Sequence, residues 1–516
     1  MAIKRYSDSD ILKKNKYDLV IIGAGTIGLY LAHIINLKNP SLEMCLVESG
    51  SEYPVINSNS VSSESKGKEH LGTLNGRASG IGGTSCLWGG QLAEFERSDF
   101  EREASKWPIS YDEILSYYQK VYKRLGMKNV QSDVDYDQIY GALQDNMINR
   151  VYTRWLKEPN FYNFFKKSVL ENKKITILTN TSAHNIKFIE KKAVSIECIA
   201  ESHGAVSIAA DKFIFASGTI GINQFFLSTQ YAGIVPWKNN NNVGKYFQDH
   251  LGGVIGTLDI KDKELFQKYF ENSWVKGIKI QPKLKLSSAN ILSKKNGVVV
   301  FFTYRSQYED SIVRLKLSIK NIFKGFRKID ISQSFKDLYF IRRDLASIIY
   351  KFLFKKRIHA IFDIKDSIQV NVQSEQIPLR ESEIKINRNH KLESGLFKVD
   401  VFWYCSGDEA ISIKKTSAEV NLFLKNNGIG EINYKTNFLQ MSNNELTECL
   451  YDTYHQCGGM VMSTLVDTGV VDKNCKVWET ENVWIAGSAV FPSSSHANST
   501  LTALALAERM VEKVFE

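Results

Sequence analysis

The sequence predicts an α/β protein with a Rossmann-like nucleotide-binding unit and a second part made of antiparallel strands and helices. Near the start, the apolar run Leu19–Ile22 is followed by glycines at positions 23, 25 and 28 and by a helical stretch. That order is typical of a buried parallel strand, a tight turn and a helix. Further along, Ser367–Val372, Glu383–Asn387 and Phe397–Val401 alternate polar and apolar residues, which predicts half-buried strands of an antiparallel sheet.

The composition is that of a globular protein with a sizeable core. The chain has 516 residues, 43% of them hydrophobic and 24% charged, and this length favours two domains. Its seven cysteines are scattered and odd in number, which argues against a disulfide framework and favours a reducing compartment. The apolar run from Leu19 to Ile35 carries its glycines at nucleotide-loop positions, so no signal peptide or membrane span is expected. A cytoplasmic location follows as the expectation.

The net charge of +10 is concentrated in one segment. Residues 311–360 contain 13 Lys and Arg against 3 Asp and Glu. Three interpretations stay open: a solvated helical face, a basic amphipathic surface on anionic lipid at the inner face of the membrane, and a dock for a phosphate-bearing substrate. Nucleic acid is not expected as a partner, because no recognition module accompanies the charge.

The first glycine loop predicts a dinucleotide site. Gly23 permits a tight turn, Gly25 lets the backbone approach a pyrophosphate, and Gly28 allows close packing of helix on strand. A second strand, Met44–Val47, ends at Glu48, 20 residues after Gly28, where an acid binds a ribose 2′-hydroxyl. The acid argues against a 2′-phosphate and leaves FAD or NAD. The alternative is a tight turn in an ordinary βαβ unit.

Three further segments rich in small residues favour FAD over NAD. Residues 76–90 are too dense in glycine for a packed helix or strand, and they suit a loop lying against a flat ring system. Residues 213–227 read as a strand, a small-residue turn and a helix start. Residues 483–492 read as a late strand that returns to the same cofactor, and the helix Leu501–Val514 follows it.

These segments resemble the glucose–methanol–choline (GMC) oxidoreductase family along the whole chain, most strongly in residues 17–50, 76–119, 213–250 and 454–513. Supporting motifs are Trp107-Pro108-Ile109, Asn242–Lys245 with Asp249-His250, His455–Gly458, and Asp467 with Val470–Asp472. The resemblance implies a discontinuous FAD-binding domain at residues 14–100, 180–255 and 450–516. It also implies a substrate-binding domain at 101–179 and 256–449, with a basic helical excursion at 311–360.

The resemblance also implies which residues contact the FAD. They belong to the small-residue segments and their neighbours: Gly23, Gly25, Thr26, Ile27, Gly28, Glu48, Ser49, Arg77, Gly82, Gly83, Thr84, Ser85, Leu87, Trp88, Ala183, Ala216, Ser217, Gly218, Gly487, Ser488, Ser499 and Thr500. No metal site is expected.

The sequence departs from the family pattern at three positions. Some members attach FAD covalently through a histidine that Leu87 replaces here, so a non-covalent FAD is expected. Trp88 stands where an asparagine is usual, and Gly459 where a threonine is usual. The combination of Thr84, Trp88 and Trp107-Pro108-Ile109 is most similar to the branch of pyranose oxidase and the bacterial sugar and polyol dehydrogenases. A sugar-like alcohol is therefore the expected substrate.

His455 matches the family's catalytic histidine and Asn498 matches its partner position. The resemblance implies that His455 is the general base for the substrate hydroxyl and that Asn498 holds this hydroxyl. The structural alternatives are a histidine bonded to a buried carbonyl and an asparagine that caps the following helix. His496 is expected beside the site, His250 is expected to be structural, and Cys86 and Cys457 are expected to be inert.

The expected activity is FAD-dependent oxidation of CH–OH to a carbonyl, by a dehydrogenase rather than an oxidase, with a separate electron acceptor or O2. One alternative is oxidation of a lipid-linked or nucleotide-linked sugar, or of a hydrophobic alcohol, at a membrane surface. The others are a catalytically silent flavoprotein and, as a minor case, an NAD-dependent enzyme.

Overall fold

The structure is a computed structural model that describes residues 3–4, 16–56, 66–141, 145–288, 290–305, 311, 314–315, 331–342, 367–435 and 437–515. Of the basic segment 311–360, only residues 311, 314–315 and 331–342 belong to these described residues. The predicted basic excursion therefore lies mostly outside them.

The secondary structure alternates helices with strands along the whole chain. The α-helices of the described residues are α1 (Thr26–Lys38), α2 (Leu71–Asn75), α3 (Arg97–Glu101), α4 (Tyr111–Arg124), α5 (Asp133–Tyr140), α6 (Phe161–Phe164), α7 (Gly218–Ala232), α8 (Lys263–Phe270), α9 (Ile331–Ile341), α10 (Glu409–Asn426), α11 (Asn443–Cys449) and α12 (Ser499–Val514). The β-strands are β1 (Ile3–Lys4), β2 (Lys16–Ile22), β3 (Met44–Val47), β4 (Val55–Ile56), β5 (Lys66–Gly67), β6 (Ala78–Ser79), β7 (Gln91–Leu92), β8 (Ile148–Trp155), β9 (Ile175–Leu178), β10 (Thr181–Ile189), β11 (Lys192–Ala200), β12 (Gly204–Phe215), β13 (Lys245–Gln248), β14 (Leu251–Ile260), β15 (Ser273–Val275), β16 (Ile278–Leu286), β17 (Val298–Arg305), β18 (Ser367–Ser374), β19 (Glu383–Lys391), β20 (Phe397–Trp403), β21 (Gly430–Tyr434), β22 (Tyr451–Asp452), β23 (Cys457–Gly459) and β24 (Val483–Ile485).

An eight-stranded sheet forms the Rossmann-like part. Its order is β1-β9-β3-β2-β12-β11-β10, and β24 also pairs with β12. The pairs from β1 to β12 and the β12–β24 pair are parallel, whereas β11 is antiparallel to both of its neighbours, β10 and β12. Strands from the two ends of the chain thus meet in one sheet. The predicted Rossmann-like fold class is confirmed.

The first βαβ unit is close to its prediction because its signals are local. Helix α1 begins one residue after the predicted start and ends one residue after the predicted end, and β3 has the predicted bounds. Helix α12 begins at Ser499, two residues before the predicted Leu501. The difference is one of helix ends, where the first turn carries no apolar periodicity to mark it.

A nine-stranded, antiparallel sheet forms a second layer. Its order is β21-β14-β18-β17-β16-β8-β7, with β15 on β16 and β22 on β14. One face is apolar, since Val300, Phe302, Val370 and Val372 are buried in mutually paired positions. Helix α10 packs against β16, β17 and β18. The intervening positions carry Lys283 and Lys285 of β16 and Asn371 and Gln373 of β18, together with the apolar Val299 and Phe301 of β17, so the second face is more polar than the first.

The three predicted antiparallel strands are present but do not share one sheet. The strand predicted at Ser367 is β18 of the nine-stranded sheet, whereas β19 and β20 pair in a five-stranded sheet of order β23-β13-β19-β20-β5. The prediction of a single sheet is corrected here. Alternation of residue types predicts a half-buried strand, but it does not specify the strand's partner.

The proposed division into two domains stays a prediction; one of its boundaries falls inside a strand, and another separates a strand from the rest of its sheet. Strand β9 ends at Leu178 and lies in the eight-stranded sheet, although residues 101–179 were assigned to the substrate domain. Strand β14 belongs wholly to the nine-stranded sheet, although a boundary was placed at residue 255. Division by sheet would move these boundaries to just before Ile175 and Leu251.

Among the residues described, none of the helices combines the length and hydrophobicity needed to cross a bilayer.

The contact between α1 and β2 gives a first prediction. A Cβ atom on Gly28 would lie 1.9 Å from the carbonyl oxygen of Gly23, so Gly28→Ala must push the helix from the strand. Overpacking of this kind costs about 1–3 kcal/mol, and we expect a lower Tm by thermal denaturation. The control is Gly89→Ala, because Gly89 is exposed and the nearest atom to its added Cβ is 3.9 Å away. Equal Tm values for the two variants would contradict this account.

Candidate active site

The structure brings His455 and Asn498 into direct contact. His455 lies between β22 and β23, and Asn498 directly precedes α12. The Nδ2 atom of Asn498 is 2.6 Å from Nε2 of His455, and Nδ1 of the same ring is 2.8 Å from the hydroxyl of Thr453. If the amide donates to Nε2, then Nδ1 carries the proton and donates to Thr453. In this tautomer Nε2 presents its lone pair on the side of Asn498.

The side chain of Asn498 does not cap its helix. Asn498 occupies the N-cap position of α12, yet no backbone N–H of the first turn bonds to its side chain. Its Oδ1 atom is buried and has no hydrogen-bond partner in the described part of the chain. The side-chain amide of Asn498 is therefore oriented towards His455, and its Oδ1 atom is available to accept a hydrogen bond.

Burial keeps His455 neutral. Burial, with smaller contributions from His250 and Lys283, lowers the pKa of this residue to about 3, while the carboxylate of Asp249 acts in the opposite direction. The imidazole is thus unprotonated at neutral pH, which is the form a general base needs.

Asp249 fixes the backbone around His455. Its Oδ1 atom accepts hydrogen bonds from three backbone N–H groups, those of His250 at 2.7 Å, His455 at 3.0 Å and Thr453 at 3.2 Å. Burial would raise the pKa of Asp249, but interactions with His70, His455 and His250 outweigh it and the pKa lies below its usual range. The sequence motif shows that Asp249 precedes His250. It does not show that Asp249 binds Thr453 and His455, because these residues are more than 200 positions away in the chain.

Helix α2 completes the support of this loop. The carboxylate of Asp452 accepts hydrogen bonds from the backbone N–H groups of Leu71 at 2.7 Å and Gly72 at 2.8 Å. His70, which precedes the helix, places Nε2 3.2 Å from Oδ2 of Asp249. Tyr454 adopts a left-handed φ of 64°, and an added Cβ on Gly72 would lie 2.7 Å from its ring. The loop that carries His455 is therefore held on both sides.

His250 and His496 both lie in the interior beside the pair. The ring of His250 is 4.8 Å from that of His455, and its Nδ1 and Nε2 atoms contact Gln373 at 3.0 Å and the Ser494 carbonyl at 3.2 Å. Both ring nitrogens of His250 are thus engaged by the protein. The side-chain amide of Gln373 also donates to the main-chain oxygen of His496 at 2.7 Å.

The separated glycine segments converge on one space. An added Cβ on Gly83 would lie 2.9 Å from Cα of Gly25, so these two loops touch. An added Cβ on Gly218 would meet no atom within 4 Å, and one on Gly487 would meet only the Ile27 side chain at 3.9 Å. The loops of Gly25 and Gly83 thus pack on each other, while Gly218 and Gly487 leave room for a flat ligand, which fits the predicted FAD.

The start of α1 suits a diphosphate. Its N-cap is Gly25, no side chain caps it, and its first turn holds no acid. The helix dipole and the first N–H groups therefore favour an anion there. Thr26 and Ile27 form this first turn.

Glu48 lies where the ribose-binding acid was predicted, and it also ties two loops together. Its carboxylate accepts hydrogen bonds from the N–H groups of Ala24 at 2.9 Å, Gly50 at 2.8 Å and Gly80 at 3.0 Å. Burial raises its pKa, and these bonds oppose the shift. The Ser49 side chain is a fourth hydrogen-bond donor to this carboxylate, so a ribose hydroxyl would replace one of these donors at Glu48.

Several other predicted FAD residues make protein contacts. The Ser85 hydroxyl donates to the Gly82 carbonyl at 2.6 Å, and Trp88 Nε1 donates to the Pro159 carbonyl at 2.8 Å. The Ser488 hydroxyl donates at 2.8 Å to the carbonyl of Gln456, next to His455. The remaining predicted residues are placed as follows: Ser49 after β3, Arg77 before β6, Thr84 and the exposed Leu87 in the loop after β6, Ala183 in β10, Ala216 and Ser217 between β12 and α7, and Ser499 and Thr500 in the first turn of α12.

Comparison with known proteins finds a family model and several solved structures that are similar to this chain. Residues 380–507, which include His455 and Asn498, match the family model of GMC oxidoreductases. Pyridoxine 4-oxidase from Mesorbium loti superposes with a TM-score of 0.61 at 14% identity, covering 97% of this chain and 99% of that chain. Formate oxidase from Aspergillus oryzae gives 0.57 at 13% identity over 97% and 98%. A fungal aryl-alcohol oxidase gives 0.57 at 12% identity over 98% and 100%. The comparison with curated sequences gives no significant match.

The matched region and the fold shared with these solved structures both show similarity to the GMC oxidoreductases. The resemblance predicted from the sequence is thus confirmed, with a family model that covers residues 380–507 of this chain.

The neutral buried histidines give a prediction on stability. Burial lowers the pKa of His455 to about 3 and that of His496 to about 4, so below about pH 6.5 the unfolded chain binds protons that the folded chain does not. The free energy of unfolding must then fall as pH falls from about 6.5 towards 4, by up to about 1.4 kcal/mol per pH unit for each such ring. Urea unfolding at several pH values measures this slope.

A matched pair of variants isolates the contribution of one ring. In His496→Gln the free energy of unfolding should depend less steeply on pH, by up to about 1.4 kcal/mol per pH unit. His390→Gln removes an exposed ring and should leave this slope unchanged. An unchanged slope in His496→Gln would contradict the account.

Proposed function

We propose that this protein oxidises the hydroxyl-bearing carbon of a sugar-like or polyol alcohol to a carbonyl, with non-covalently bound FAD as the hydride acceptor. The observation that carries the proposal is the contact of 2.6 Å between His455 and Asn498, at the start of a helix without a side-chain cap. A neutral base and an amide with a spare acceptor are the two groups needed to take a proton from a hydroxyl and to hold its oxygen.

The residues that would hold FAD are those around the shared space described above. Gly25 and the first turn of α1 would hold the diphosphate, Glu48 would accept from the ribose, and the open space at Gly218 and Gly487 would receive the rings. When bound, FAD would supply the chemistry of hydride acceptance. Leu87 has no nucleophilic atom for a covalent link, and this supports a dissociable cofactor. In the formate oxidase from Aspergillus oryzae, by contrast, the FAD undergoes modification.

His455 would accept the hydroxyl proton at Nε2 while the hydride leaves the adjacent carbon. Asn498 cannot titrate, so the proton transfer depends on His455 alone. Asp249 lies within electrostatic reach of the ring and favours its protonated form, which would stabilise the charge that develops during the reaction. Its three backbone hydrogen bonds keep the ring in place for this step.

The nature of the electron acceptor is part of the proposal. The sequence favoured a dehydrogenase, but the structural neighbours named above are described as oxidases. Readmitting air to the substrate-reduced protein separates the two cases. Rapid return of the flavin absorbance would establish an oxidase, and slow return would favour a dehydrogenase with a separate acceptor.

A second candidate is oxidation of a hydrophobic or lipid-linked alcohol at a membrane surface. Helix α9 exposes Phe335, Leu338, Tyr339 and Phe340, within the segment 311–360, where 13 Lys and Arg stand against 3 Asp and Glu. Apolar side chains beside Lys and Arg suit an anionic bilayer surface. Binding to vesicles of anionic lipid, lost in the double variant Phe335→Ser with Tyr339→Ser, would support this candidate; equal retention of both proteins in the supernatant would remove it.

The substrate class is tested by anaerobic reduction of the flavin with a panel of alcohols. Free sugars and polyols should bleach the visible flavin band if the first proposal holds, and only long-chain or lipid-linked alcohols should do so if the second holds. A protein that binds flavin but is reduced by no alcohol would favour a catalytically silent flavoprotein.

The role of the pair gives a further prediction. His455→Ala should slow substrate reduction of the flavin by about 10²–10⁴-fold, the usual contribution of a positioned base. Asn498→Ala should slow it by about tenfold, the effect of losing one hydrogen bond. Both variants should retain bound flavin, which the absorbance spectrum checks. His390→Ala, at an exposed ring, is the control. An unaltered reduction rate in His455→Ala would refute the mechanism.

A further inference from the structure

The polar face of the nine-stranded sheet is turned towards the His455–Asn498 pair. Strand pairing places Lys285 opposite Val299, and Val299 opposite Gln373. Directly paired residues of an antiparallel sheet lie on the same face. Gln373 contacts both His250 and the main chain of His496, so this face borders the candidate active site.

Lys283 lies on that same face. It is two residues from Lys285 in β16, and alternate residues of a strand share a face. Phe301 is likewise two residues from Val299 in β17. The ammonium of Lys283 is 4.6 Å from the centroid of the Phe301 ring, as this placement requires.

Lys283 is a buried cation without a counter-ion. The residue is 4% exposed, and within the described residues no carboxylate or other acceptor forms a hydrogen bond or ion pair with it. The neighbouring lysines on β16 are partnered: Lys285 forms an ion pair with Glu96, and Lys279 lies 4.2 Å from the Trp155 ring. An unpaired buried charge is unfavourable, and a single aromatic ring compensates only in part.

The charge of Lys283 acts on the candidate site. It lowers the pKa values of His250, His455 and His496 together, which places the ammonium within electrostatic reach of all three rings. Burial lowers the pKa of Lys283 itself to about 8, so the group is still mostly charged at neutral pH. A group that keeps its charge in the interior next to a reaction site is suited to binding an anion.

We infer that Lys283 binds an anionic oxygen group, a carboxylate or a phosphate, on the alcohol that the protein oxidises. The inference rests on the proposed function, and it narrows the substrate from sugar-like alcohols to acidic ones. The glycines that leave room for FAD lie in loops around the eight-stranded sheet, whereas Lys283 lies on the nine-stranded sheet. We therefore assign the anionic group bound by Lys283 to the substrate and not to FAD.

The first experiment measures anion binding to the flavin-loaded protein, in which FAD already fills its own phosphate site. Inorganic phosphate and acetate are titrated, and the change in the flavin spectrum and in Tm is followed. At least one anion should bind the natural protein, and Lys283→Met should bind it about tenfold more weakly, as expected for loss of one charge-assisted hydrogen bond. Lys279→Met removes a charge from the same strand and should leave anion binding unchanged. Lys283→Arg should restore much of it.

A stability readout separates anion binding from a structural role. Without anion, Lys283→Met should have a higher Tm than the natural protein, because it removes an unpaired buried charge. A lower Tm in both Lys283→Met and Lys283→Gln, together with unchanged anion binding, would overturn the inference. Failure of both anions to bind the natural protein would also overturn it.

The second experiment compares matched substrates: a sugar alcohol, its phosphate ester and the corresponding sugar acid. The anionic member that binds should have a KM at least about tenfold below that of the neutral one, and Lys283→Met should remove this advantage. Whichever of the phosphate ester and the sugar acid has the lower KM identifies the anionic group that Lys283 binds. Reduction of the flavin by neutral sugars with no anion preference would overturn the inference and leave the proposed function intact. Reduction by no alcohol, with Lys283-dependent anion binding, would instead overturn the proposed function.

Discussion

Three backbone N–H groups converge on one buried carboxylate oxygen, and the candidate active site depends on that convergence. Oδ1 of Asp249 accepts from His250, Thr453 and His455, and so fixes the loop that carries the candidate base. Thr453 then orients the ring through Nδ1, which leaves Nε2 to face Asn498. The left-handed φ of Tyr454 lies inside this anchored loop. Such strain persists only where the surrounding contacts determine the conformation.

The closure of the chain on itself places the second member of the pair. Strand β24 pairs with β12, which pairs with β2, so the last part of the chain enters the sheet that begins with the first glycine loop. Helix α12 follows β24, and its N-terminus presents Asn498. The glycine segments meet for the same reason, because they sit in loops around this sheet. One parallel sheet thus determines both the space for the cofactor and the position of the amide.

The sequence predicted the parts whose signals are local. The apolar run and the spaced glycines gave α1 and β3 to within one residue and the end of β2, although β2 begins three residues before the predicted Leu19. The family motifs indicated His455 and Asn498. The partners of strands β18 and β19 could not be predicted, since pairing is set by the rest of the chain. The support from Asp249 and His70 and the burial of Lys283 also depend on distant segments. Lysines at positions 279, 283 and 285 of β16 are all separated by even numbers of residues, which indicates a polar face of this strand. This spacing does not show which of the lysines lacks a counter-ion.

The most direct test of the central claim is a crystal structure of the flavin-loaded protein with an unreactive analogue of its alcohol. If His455 is the base and Asn498 holds the hydroxyl, the alcohol oxygen will lie within about 2.6–3.2 Å of His455 Nε2 and of the Asn498 amide. The three hydrogen bonds to Asp249 will be unchanged. A hydroxyl bound on the far side of the cofactor, away from both side chains, would contradict the account.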